Sequence, residues 1–213
     1  VGRSDEGLPL LEQTVLVAEA AALDPLGLMR ISGALEWLDR SRDAYEYALR
    51  DVGLARADGA VGLLPYLLYQ QAWHAGRAGL LNEGLGAACE ALALSRELDL
   101  WLPRLQSLLV LAAITARRGS EDECFAYAEE VRSQLDEEAS LVGYRTWLAH
   151  SLALLAIGRS RHEDAIGELE TVARNLDEFG IHSRQMVPHA QLAEVHARAG
   201  NEQAAERALA AYE

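Results

Sequence analysis

The side chains best suited to hold a ligand are aromatic. Tyr66, Tyr69 and Trp73 stand at i, i+3 and i+7, the spacing of one helix face. Trp147 and His150 approximate the same face further along, beside Tyr144, with Arg145 and Arg104 as candidate neighbours. Large amphipathic rings offer contact area at little entropic cost. Tyr66, Tyr69, Trp73, Trp147 and His150 are therefore the candidate residues for holding a ligand or partner in a groove. The same spacing suits rings packed between helices as core, so both readings stand at this point.

Other patterns carry less chemistry. His182, His189 and His196 are each seven residues apart. A seven-residue helical step rises about 10.5 Å, whereas the ligands of one ion sit roughly 2 Å from it. That row cannot clamp a single metal. No H-x-x-x-H pair, phosphate loop or G-x-S-x-G elbow occurs. No catalytic residue, metal or cofactor is expected, and the chain does not read as an enzyme. Glu129-Glu130 and Asp136-Glu137-Glu138 read as solvated helix faces. Cys89 and Cys124 lack C-x-x-C spacing and read as small core residues of a protein in a reducing compartment.

Composition narrows the class further. The formal net charge is −14, and no arginine cluster exceeds Arg117-Arg118 and Arg159/Arg161. Nucleic-acid binding needs a positive footprint, so direct contact with DNA or RNA is not expected. Every basic residue is arginine, which with abundant alanine fits a GC-rich bacterial genome. No run of about 18 apolar residues exists, and Leu105 to Ala116 is broken by Gln106, Ser107 and Thr115. The opening Val-Gly-Arg-Ser-Asp-Glu-Gly has no apolar run behind a basic start, which points to the cytoplasm and away from membranes. Residues 1–9 read as a flexible N-terminal segment or a vector remnant, and 10–213 as one helical-repeat domain.

The elements that must position the rings recur. Glycine turns at Gly79, Gly119, Gly158 and Gly200 lie about forty residues apart, each between two apolar stripes of helical period. Ser120–Glu123 and Ser160–Glu163 have the S-x-x-E form of a capping box, with Asn82 and Asn201 in comparable places. Small residues at Gly84, Cys124, Ala165 and Ala204 predict close approach of paired helices. No stretch has period two. The fold class is all-α: a solenoid of about five antiparallel helical hairpins whose units bury their apolar faces against neighbours.

These residues resemble the tetratricopeptide repeat (TPR), through Ala75/Gly79/Gly84 and Ala197/Gly200/Ala204. The forty-residue, alanine-rich form in Glu83–Asp99 and Ala190–Glu206 is similar to the helical sensor region of ATP-binding, MalT-like LuxR-type bacterial transcriptional regulators. That resemblance implies a right-handed TPR-like superhelix whose first helices line a concave groove. It implies a sensor module that takes a small molecule or a peptide or protein segment there, with self-association left open. A TPR-like protein-interaction scaffold unconnected to transcription is the alternative. The nucleotide-binding and helix-turn-helix domains of such regulators have no counterpart in these residues.

Overall fold

The computed structural model describes residues 4–19, 25–135, 141–180 and 186–212. Among them are eleven helices: α1 (Ser4–Glu19), α2 (Pro25–Trp37), α3 (Ser41–Ala57), α4 (Leu64–Arg77), α5 (Leu81–Glu97), α6 (Trp101–Arg118), α7 (Glu121–Leu135), α8 (Val142–Gly158), α9 (His162–Glu178), α10 (Pro188–Arg198) and α11 (Glu202–Tyr212). No strand occurs among the described residues. The chain divides within α6 into two compact units, Gly2–Ile114 and Thr115–Glu213.

The repeat is set by one backbone device. Left-handed φ recurs at 39, 59, 79, 99 and 119, and again at 160, 180 and 200, one residue in every twenty. After seven of these residues the next N–H reaches back to a carbonyl five positions earlier, as Arg40 N to Leu35 O at 2.9 Å and Leu80 N to Ala75 O at 2.8 Å. This six-to-one bond satisfies a carbonyl orphaned at the helix end and reverses the chain. Two such turns make one hairpin period. Five of the eight residues are glycine, which takes positive φ without steric cost. The other three are Asp39, Asp99 and Ser160.

That accounts for two departures from the sequence reading. Gly158 is the last residue of α8, and the left-handed turn falls at Ser160, φ 56°. Ser160 therefore stands outside the N-cap of α9. The cap is Arg161, without a side-chain capping bond, so the expected capping box does not form there. Asn82 likewise lies inside α5, after the N-cap Leu80.

In the unit Gly2–Ile114, α2 pairs with α3 and α4 with α5, and α3 packs on α4. In the unit Thr115–Glu213, α8 pairs with α9 and α10 with α11, while α7 packs on α8 and α9 on α10. Small residues permit this spacing. Gly84, Cys124 and Ala165 are buried as expected, and Ala204 is half-buried. A Cβ on Gly84 would meet Ile114 Cδ1 at 2.9 Å and the Ala72 carbonyl at 3.1 Å. Between these contacts lie fully buried leucines such as Leu67, Leu68, Leu105 and Leu108, each stabilising the fold by about 1.5–3 kcal/mol through burial.

Cys89 falls elsewhere than its expected place in the core. Cys89 is exposed, because α5 turns the neighbouring Ala88 and Ala91 inward. Cys124 is buried, and burial pushes its thiol pKa up against the lowering hydrogen bond with Thr115. Phe125 is exposed, with the Arg161 guanidinium 5.7 Å from its ring centre.

Candidate functional site

The first three candidate rings share one helix because α4 is well determined by its sequence. Pro65 pre-sets the first turn, no β-branched residue interrupts it, and His74 and Arg77 complement the dipole at its C-terminus. Its inward side is Leu67, Leu68, Ala72 and Ala75. Tyr66, Tyr69, Gln70, Trp73 and Arg77 form the adjoining half-buried stripe. The rings are thus partly covered and partly open. The preceding first helix carries the matching positions one period earlier: Met29 and Gly33 are half-buried, and Arg30 and Trp37 exposed.

A buried ionic cluster ties these two helices together. Glu36 of α2 is 4% exposed and His74 of α4 is 3% exposed. Glu36 Oε2 lies 3.0 Å from His74 Nδ1, and Arg77 Nε donates to Glu36 Oε1 at 2.8 Å. Arg77 also reaches Asp39 at 3.6 Å. Burial drives the Glu36 carboxyl pKa up, but the hydrogen bonds and charges of His74 and Arg77 outweigh burial, and the pKa is lowered. His74 Nε2 is buried with no hydrogen-bond partner. No spacing within the sequence reveals this cluster. Its one signal was a set of polar residues among apolar positions about one repeat apart, Glu36 against His74 and Arg77.

Trp147 and His150 lie in the other unit, on α8. Trp147 is half-buried against Ala149, Val172, Leu176 and Met186. His150 is 6% exposed, its Nε2 3.2 Å from Gln191 Oε1 on α10. One turn earlier, Asn175 of α9 donates to Thr146 Oγ1 at 2.9 Å. Arg145 donates to the Leu135 carbonyl. These bonds join α8 to α7, α9 and α10, a role the sequence did not reveal for Thr146 or His150. Of the histidine row, His182 lies outside the described residues, while His189 and His196 are half-buried on α10. Among the described residues no group of three or more potential ligands could hold a metal, and no helix is long and apolar enough to cross a membrane.

No protein-family model and no curated protein matches the chain. Among solved structures it is similar to BtubC (BKLC) from P. vanneervenii, with TM-score 0.57 and 17% identity over 100% of this chain and 90% of that one. It is also similar to MamA, residues 41 to the end, from Desulfovibrio magneticus RS-1, with TM-score 0.51 and 15% identity over 90% of this chain and 95% of that one. At these identities the likeness concerns fold. With the twenty-residue turns, it makes the chain an all-α helical-repeat protein of TPR-like architecture.

Proposed function

We propose that the chain is a binding module that uses the ring stripe of α4 to hold a peptide or protein segment. The observation that carries this reading is the half-burial of Tyr66, Tyr69 and Trp73 on one face of a first helix. Each ring is partly covered and partly open, as an interface anchor is. TPR-like architecture supports the same class. The forty-residue, alanine-rich repeats support the narrower reading of a sensor region in a cytoplasmic LuxR-type bacterial regulator. Under that reading, the gene encodes a phosphate-binding loop upstream and a helix-turn-helix downstream. A gene without them leaves a scaffold unconnected to transcription.

Selection of peptides from an unbiased display library tests the face itself. Binders are expected to lose affinity to variants with Tyr69→Ala or Trp73→Ala and to keep it with Glu90→Ala on α5. Binders indifferent to both ring substitutions would remove α4 from the site.

A further inference from the structure

We infer that the segment held on α2 and α4 is acidic, although the chain itself carries a net charge of −14. This rests on the reading of the α4 stripe as a binding face, and it names the chemistry of the partner.

Charge is sorted by helix position. Across α2, α4, α6 and α8 the sequence holds a single carboxylate, Glu36. Glu36 is buried and held by Arg77 and His74. No carboxylate of α2 or α4 is therefore exposed. Of the intervening helices, α3 balances three carboxylates with three arginines, whereas α5, α7 and α9 carry three, five and six carboxylates against one arginine each. The excess negative charge thus lies on α1 and on the second helices α5, α7 and α9, and the global figure misdescribes the α2 and α4 face.

What that face offers is a cation beside rings. Arg30 is exposed, and among the described residues it has no ion pair or side-chain hydrogen bond. One period of forty places it level with Gln70, between Tyr69 and Trp73 in height along the helix. Gly33 stands level with Trp73, and a Cβ there would meet nothing within 4 Å. That leaves open space over Gly33 for an apolar side chain. Arg77, spent on Glu36, closes the C-terminal end of the stripe without offering a free fork. An acidic residue with an apolar neighbour matches this surface: its carboxylate takes the Arg30 fork and its neighbour the open space over Gly33. A basic segment would meet Arg30, and the exposed carboxylate just beyond α2, Asp39, is already engaged by Arg77.

Two fluorescein-labelled peptide pools test this with the full chain. One is built from Glu, Asp, Leu and Phe, the other is its isosteric Gln, Asn, Leu and Phe counterpart. Fluorescence anisotropy should show the acidic pool binding about tenfold more tightly at 0.1 M salt, the scale of one charge-assisted contact. The advantage should shrink as salt is raised and collapse in Arg30→Gln, with unchanged melting. Equal binding of both pools, weakened alike by Trp73→Ala, would overturn the acidic partner and leave the binding face standing. Absence of binding by either pool overturns the proposal, and concentration-dependent self-association lost in Trp37→Ala would then give the face to a second copy. Preference for the acidic pool that survives Arg30→Gln also overturns it.

Discussion

Glu36 shows how much one residue can hold. Its carboxylate joins two hairpins through His74 and Arg77 in a place water hardly reaches. Removing one member of such a cluster leaves its partners buried and uncompensated, so Glu36→Ala should destabilise the fold by about 3 kcal/mol in urea titrations. A loss below about 1 kcal/mol would mean that the cluster is replaceable by ordinary packing. The sign of the pH effect follows from the lowered carboxyl pKa. The contribution is fully present above the ordinary carboxylate pKa and is lost as pH falls through the folded value. Glu36→Gln should therefore flatten the acid limb of the stability curve, read as midpoints in urea from pH 6 downwards. An unchanged acid limb would contradict the assignment. The sequence hid this cluster because Glu36 and His74 meet only through tertiary packing, and neither makes a recognisable spacing with a chain neighbour.

At the scale of elements, the hairpins were legible because apolar stripes and turn glycines obey local rules. The rule failed where a residue other than glycine took the left-handed turn. Ser160 adopts positive φ at a cost of about 1 kcal/mol that glycine avoids. Gly158, two residues earlier, attracted the turn in the sequence reading. Ser160→Gly should accordingly raise stability by several tenths of a kcal/mol or more, despite the greater freedom of glycine in the unfolded chain. A clear fall in melting temperature would argue against the left-handed assignment. Gly84→Ala should act in the opposite direction. Its Cβ would press on Ile114 and on the Ala72 carbonyl, and overpacking of that kind costs about 1–3 kcal/mol. Tolerance of alanine there would show that α4 and α5 do not approach as closely as described.

At the scale of the whole molecule, the sequence revealed the fold class and the rings, but not how charge is distributed over the fold. Net charge is a sum, and only the assignment of residues to first and second helices separates the acidic surfaces from the α2 and α4 face. Even so, the chain lacks the clustered cations that phosphate contacts require. A gel shift at physiological salt should show no DNA binding by these residues. Tight, salt-sensitive binding would refute that.

The central claim is that the α4 rings serve a partner more than they serve the core, and the thermal melt of Trp73→Ala tests it before any partner is in hand. Trp73 is half-buried, beside the fully buried Ala72 and Ala75. If it belongs to the binding face, the substitution should cost no more than about 1 kcal/mol and lower the melting temperature by only a few degrees. A loss of roughly 3–5 kcal/mol, the cost of emptying a core tryptophan site, would return the ring to the core and contradict the account.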